Sequence, residues 1–470
     1  MNNKSLTQIL AISLLLLQGC TMMPKYSRPV LPVADKWNSN VNQISPEEKS
    51  EPVDKTGWKD FFTLPQLQKV IQTALDNNRD LRVAALNVEA ARQLYRVKRS
   101  DLLPHIDGEA SGARQNIPKN ISSTGQEYIS SRYETNLAST AFELDLFGKL
   151  RSQNKAALDT YLATQSARDA VQIALIAETA NAYLQLMAER KILKVTEETL
   201  STQNKSYELI SKSYAKGVGS KLDVAQVRTA VETAKANNAL YTRLVAQDEN
   251  ALQLLLGSSE NISLDEKTLD DITFEKKLPV DVPSKVLLER PDVKKAEYEL
   301  QSANANIGAA RAAFFPTISL TGSYGFASSD LSNLFSAGSG GAWSFAPSVT
   351  MPIFEAGKNA ANLKYTQVQK DIAIAEYEKS IQTAFKEVSN ELAALQTLSD
   401  ELEARRQLVN ATKETYDLSY ARYKQGIDSF LSVLDAQRSL FIAEQNVIET
   451  KKSLFSNQVN LYKALGGGVR

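Results

Sequence analysis

The chain has 470 residues, with 54 Lys+Arg balanced by 54 Asp+Glu, and 43% of its residues are hydrophobic. That length suffices for two or three domains with substantial cores, and zero net charge gives no electrostatic footprint for nucleic acid. One Cys and one His cannot form a disulfide, a Cys/His zinc cluster or a two-histidine metal centre, and a mean hydropathy of −0.29 excludes a bundle of membrane-spanning helices.

At the N-terminus Lys4 precedes the apolar run Ile9–Leu17, so residues 1–19 read as a secretory signal too short to persist as a spanning helix. The only cysteine closes the run Leu17-Gln18-Gly19-Cys20, which resembles a bacterial lipobox, with Gln18 bulkier than usual for its position. The resemblance implies that Cys20 begins the mature chain and carries an S-diacylglycerol and an N-palmitoyl group, enough acyl chains for stable anchoring. It also implies the outer membrane, because Thr21 stands where an inner-membrane lipoprotein carries Asp. Residues 20–57, with Pro24, Pro29, Pro32 and Pro52, read as a lipidated extended segment.

The rest of the chain is a duplication, with a first repeat at 58–268 and a second at 269–470. Arg99–Pro104 matches Arg311–Pro316 at an offset of 212 residues, and Gly148-Lys149 matches Gly357-Lys358 at 209. Tyr214–Gly217 matches Tyr423–Gly426, and Leu256-Gly257 matches Leu465-Gly466, both also at 209. Each repeat opens with a helix, expected over 79–103 and 291–315. Two strands follow in each, at about 105–117 and 131–146 in the first repeat and about 317–327 and 342–353 in the second. The second pair is the clearer one. Ile318, Leu320, Tyr324 and Phe326, then Trp343, Phe345, Val349 and Met351, alternate with small or polar residues. Their length and alternation match transmembrane β-strands.

Coiled coils follow at 149–256 and 358–465. Residues 149–216 and 358–425 contain no Gly or Pro, and such a run makes ~100 Å of helix at a rise of ~1.5 Å per residue. Leu186, Leu193, Leu200, Tyr207 and Tyr214 repeat every seven residues, as do Val388, Leu395, Leu402, Val409, Tyr416 and Tyr423, which is coiled-coil spacing. Gly217–Ser220 and Gly426–Ser429 break the helices before a shorter return. Four strands cannot close a membrane barrel, so copies of the chain must complete it, with two, three or four copies equally admissible on this ground. His105 has no nucleophile constellation around it, and nothing in the pattern points to an enzyme.

Further motifs are Gly57-Trp58-Lys59-Asp60-Phe61-Phe62, the run Ala303–Pro316, Leu434-Asp435-Ala436-Gln437-Arg438 and the closing Leu461–Gly468. With the duplication, they resemble the TolC/OprM-type outer-membrane factors of tripartite efflux systems, nearest the lipid-anchored multidrug branch. The resemblance implies a mainly α fold with a small β part. In it a homotrimer builds a 12-stranded barrel in the outer membrane, continued by a periplasmic α-helical barrel. It implies a passive exit duct for drugs or other small molecules, without cofactors. Its partners would be a periplasmic adaptor and an inner-membrane RND-type transporter.

Residue by residue, the resemblance makes Lys216, Gly217, Val218, Gly219, Gln425, Gly426, Ile427 and Asp428 adaptor-docking tips. It puts Leu431, Asp435 and Arg438 at a closed aperture and makes Asp223 and Tyr423 a hydrogen-bonded tether between coiled coils. Asp428 stands where some relatives carry a basic residue, and Ser432 where some carry a second acid. A type I protein-secretion duct shares this fold, and a non-conducting structural lipoprotein of the envelope is the remaining alternative.

Overall fold

The computed structural model describes residues 21–37, 57–258, 269–272, 283–336 and 341–467, so the expected signal at 1–19, the lipid-bearing Cys20 and residues 38–56 lie outside the described residues. The chain packs as two units. One comprises 1–30, 88–164 and 296–377, the other 31–87, 165–295 and 378–470. Each unit draws on both repeats.

The first unit contains an antiparallel sheet in the order β1–β2–β3–β4, with β1 Asp107–Ile117, β2 Tyr128–Leu144, β3 Thr317–Ser328 and β4 Gly341–Thr350. The two repeats meet between β2 and β3, where Leu137 pairs with Tyr324 and Thr135 with Phe326. Tyr324 pairs in turn with Trp343, Gly322 with Phe345 and Ile318 with Val349, so one face collects the large apolar side chains. The opposite face carries Glu109, Arg132, Glu134 and the Ser323–Ser344 hydroxyl pair, 2.8 Å apart. Leu137, Tyr324, Trp343, Phe345 and Val349 are all more than half exposed in the single chain. Such a contiguous apolar patch marks a surface made for lipid or a partner.

β4 ends at Thr350 rather than near 353 because its ladder partner ends at Thr317, directly after Pro316. Ile353 and Phe354 beyond it are 93% and 86% exposed. The opening helices of the repeats, α2 (Arg79–Ser100) and α5 (Pro291–Ala312), likewise stop short of Pro104 and Pro316. Both pass through a tight turn first, with Leu103 N–H donating to Ser100 O and Phe315 N–H to Ala312 O. Proline disfavours helical backbone in the residue before it, which accounts for both endings.

An N-terminal strap, Thr21–Val30, lies against the same unit. The Asn304 side-chain amide donates to Pro24 O, while Tyr26 Oη–H and a two-pronged Arg28 guanidinium reach the buried Glu297 carboxylate at 2.7–3.1 Å. A Cβ on Gly308 would stand 2.7 Å from Met23 Cα, and one on Gly148 3.1 Å from Thr21 Cα. Those two glycines leave the strap its seat.

The long helices are α3 (Lys149–Ala215) and α6 (Lys358–Lys424), and the returns are α4 (Lys221–Leu256) and α7 (Phe430–Ala464). Gly148 and Gly357, at φ +76° and +85°, turn the chain into α3 and α6. On α3 the expected heptad series is half of the buried seam. Leu186 is buried, Leu193, Leu200 and Tyr207 are half-buried, and Tyr214 at the end of the series is exposed, because the helix ends there at its turn. The other half, three residues on, is Glu189, Thr196, Gln203 and Ile210, all buried, which completes the three-four spacing of a coiled coil.

In the second unit the early and closing motifs meet. The Phe61 ring stacks on Tyr462 with centroids 4.2 Å apart, and Leu67, Val70 and Ile71 of α1 (Pro65–Asn77) are buried in the same unit. Each repeat also makes one helix joint. Asn78 Nδ2–H donates to Leu255 O, and at the equivalent place Arg290 Nη1–H donates to Ala464 O.

Candidate functional site

Both helix turns lie in the second unit and share one backbone design. Gly217 N–H donates to Tyr214 O and Val218 N–H to Ser213 O. In the second turn Gly426 N–H donates to Tyr423 O and Ile427 N–H to Arg422 O. These are paired Schellman closures, with Gly217 at φ +78° and Gly426 at φ +72°. The expected tip residues Lys216, Gly217, Val218, Gln425, Gly426 and Ile427 are exposed, and Gly219 and Asp428 are half-buried.

The side chains that follow are not equivalent. Ser220 caps α4 reciprocally: its Oγ accepts from Asp223 N–H at 3.0 Å, and the Asp223 carboxylate accepts from Ser220 N–H at 3.1 Å. Ser429 makes no such side-chain bond at the start of α7, where Ser432 replaces the acid. Instead Arg422 grips Asp428 in a two-pronged pair at 2.5 and 3.1 Å. That bond holds the Asp428 carboxyl below its ordinary range. Asp428 thus clamps its own turn.

The expected hydrogen bond between Asp223 and Tyr423 is not made among the described residues. The capping box occupies the Asp223 carboxylate, because a partner three residues away costs less chain ordering than one on another helix. The Tyr423 ring packs edge-on against Phe430, centroids 4.9 Å apart, beside the buried cluster of Ile210, Val227, Phe430 and Val433. Burial first, and the Asp223 charge second, push the Tyr423 hydroxyl above its ordinary pKa. The two groups are therefore neighbours without the bond.

Leu431, Asp435 and Arg438 share one open face of α7. Leu431 is 53% exposed, and Asp435 and Arg438 form an exposed ion pair, the i,i+3 contact that their spacing also allowed. Behind this face Gln203 Nε2–H donates to Gln437 Oε1 at 2.9 Å, joining α3 to α7. Sequence reasoning missed that amide pair and the Arg422–Asp428 clamp. The polar members of the heptad seam, Glu189, Thr196 and Gln203, were the signal available for the first. Among the described residues no group of His, Cys, Asp and Glu side chains could hold a metal ion, and no helix is long and apolar enough to cross a membrane.

The outer membrane efflux protein family matches over residues 70–258 and 282–467, which is most of the chain and both repeats. The chain belongs to that family. It is 48% identical over 459 residues to the probable efflux pump outer membrane protein TtgC of Pseudomonas putida, covering 98% of this chain and 95% of that protein. It is 42% identical over 461 residues to the outer membrane protein OprJ of Pseudomonas aeruginosa, covering 97% and 94%. The open-state structure of the Neisseria gonorrhoeae MtrE outer membrane channel superposes with a TM-score of 0.86 at 38% identity, covering 96% of this chain and 99% of that one. This outer membrane efflux protein is thus an outer-membrane channel component of an efflux pump, and its role is transport.

Proposed function

We propose that three copies of the chain close a 12-stranded barrel and form a passive exit duct. The duct receives small molecules from a periplasmic adaptor and an inner-membrane transporter of the RND type. The observation that carries this reading is the sheet itself. It has one apolar face, and its edge strands β1 and β4 each pair on one side only among the described residues. In lipid those edges need strand partners, and copies of the same chain supply them symmetrically. The lipobox-like Leu17–Cys20 supports a second attachment, an acylated Cys20. The relatives' names, which include toluene and antibiotic efflux pumps, support organic small molecules as cargo.

The exposed turns at Lys216–Gly219 and Gln425–Asp428 are the adaptor-docking ends in this reading. Leu431, Asp435 and Arg438 line the aperture, where an apolar side chain seals by excluding water and charged rings set ion selectivity. Because Asp435 is paired with Arg438 in the same chain, the ring it contributes is close to neutral. Asp223 and Tyr423 form their tether only in a state where the Ser220 cap is released.

The test is planar-bilayer conductance of the purified lipidated protein beside its oligomeric mass, for wild type and Asp435→Ala. The expected result is a trimer with a small wild-type conductance that rises severalfold in the variant. Reversal potentials should shift toward anions as Arg438 loses its partner. Unchanged conductance in a folded trimer removes the gate assignment. Silence in both forms moves the protein toward a structural role in the envelope.

A further inference from the structure

In the second unit α3, α4 and α7 enclose a groove of about 350 Å3 beside the Leu431–Arg438 face. Known small-molecule sites occupy roughly 300–1,000 Å3, so the groove holds a compact organic molecule. One wall is apolar, made by Leu431, Leu434 and Phe441 of α7. The facing walls present the hydroxyls of Thr196, Thr229 and Thr233 with Ala230 and Ala234 between them.

The threonine hydroxyls are biased in one direction, while Gln226 and Asn237 line the groove with amides that can donate as well as accept. Thr196, Thr229 and Thr233 each donate their hydroxyl proton to the carbonyl four residues back, which leaves only lone pairs facing outward. Gln203 is 6% exposed and its amide N–H is engaged by Gln437, while its own Oε1 is buried without a partner. A buried carbonyl oxygen is ordinarily satisfied, so this one calls for a donor. The charges at the mouth, Asp435 and Arg438, neutralise each other.

We propose that this groove binds an uncharged amphipathic small molecule, with an apolar body against α7 and an N–H or O–H group donated to Gln203 Oε1. Such a ligand touches α7 together with α3 and α4, so it favours the helix arrangement seen here over any in which α7 has swung away. That effect on gating rests on the aperture reading above, whereas binding does not.

The test introduces Thr233→Cys into the full lipidated chain in nanodiscs and follows its alkylation by N-ethylmaleimide, with unmodified protein as the background for Cys20. The probe is N-acetyl-tryptophanamide, a soluble neutral molecule with a bicyclic apolar body and several N–H donors. Saturating probe should slow alkylation of Thr233→Cys at least fivefold and leave that of Thr397→Cys, exposed on α6, unchanged. Adding Gln203→Leu should raise the half-protecting concentration about tenfold. Adding Ala230→Leu, which fills the groove while leaving the Gln203–Gln437 bond intact, should abolish protection.

A Thr233→Cys side chain that resists alkylation in the assembled protein would mean that a neighbouring copy occupies the groove, and would overturn the proposal. Ready alkylation with no protection at any soluble probe concentration would overturn it too. Neither result bears on the Asp435→Ala conductance experiment, so the two readings fail separately.

Discussion

The two turns at the ends of α3 and α6 share a backbone and differ in what restrains it. The first is held from the return side, where Ser220 and Asp223 cap α4 through neutral and charge-assisted hydrogen bonds to the backbone. The second is held from the outgoing side, where Arg422 reaches over the turn to Asp428 and the start of α7 carries no side-chain cap. A duplicated motif has thus kept its glycine geometry and carries its acid four residues earlier in the second turn, at Asp428 rather than at Ser432, the equivalent of Asp223. A cap resists salt and acts on one helix end. A solvent-exposed ion pair is screened and ties a helix to its turn.

The largest expected effect should be common to both turns and sets the baseline. Gly217→Ala or Gly426→Ala forces a side chain into left-handed backbone at a cost of about 1–2 kcal/mol, although open space surrounds both positions. Hydrogen exchange of the two tip peptides, in protein reconstituted in lipid, should show comparable loss of protection. Unequal responses would mean that the backbone designs differ after all.

Ser220→Ala then separates the turns. It should cost about 1 kcal/mol of protection at the start of α4, whereas Ser429→Ala should change little at the start of α7. Equal losses at the two sites would erase the contrast.

Salt should act in the opposite sense. Asp428→Asn should loosen the second turn at low ionic strength. The difference from wild type should vanish near 1 M salt, where the screening length is about 3 Å. The smallest effect is with pH. The Asp428 carboxyl is depressed, so its contribution is complete above the ordinary aspartate value of 3.8 and disappears as pH falls through the lowered one. Exchange at the second turn, corrected for intrinsic rates, should therefore rise only below the ordinary carboxylate range. A loss beginning near neutral pH would assign it to another group.

Most of the architecture was legible before any coordinates, for identifiable reasons. Gly and Pro punctuate this chain so sparsely that the gap from Gly148 to Gly217 reads directly as one helix, and its recurrence from Gly357 to Gly426 reads as a duplication. β3 and β4 were visible because Ile318–Phe326 and Trp343–Val349 alternate cleanly. β1 was weaker because its sequence, Asp107–Ile117, has few large residues on either face.

The seam of α3 was half-read. Its second phase is Glu189, Thr196 and Gln203, and a polarity pattern cannot show that polar side chains are buried. Burial, with the charges of Glu449 and Asp248 behind it, pushes the Glu189 carboxyl upward, a cost no heptad count registers. The Asp223–Tyr423 bond is not made in this arrangement for a different reason. Asp223 had two partners within its reach, and spacing alone could not show that Ser220, three residues away, would take it. The Arg422–Asp428 clamp spans six residues across a turn and becomes visible only once the turn is built.

The strap at Thr21–Val30 gives the folding of this protein a clock. Its seat exists only after α3 and α5 have met, since Thr21 rests over Gly148 at the start of α3 while Met23 rests over Gly308 and Arg28 closes on Glu297 of α5. Until then the Lys25–Tyr26 bond is open to trypsin on a free peptide, whereas the Arg28–Pro29 bond resists it because proline follows. Once the almost fully buried Glu297 carboxylate holds Tyr26 Oη–H and the Arg28 guanidinium, the Lys25–Tyr26 bond becomes awkward for a protease to enter. Cleavage after Lys25, followed in time, should report how late in assembly the strap is fastened down.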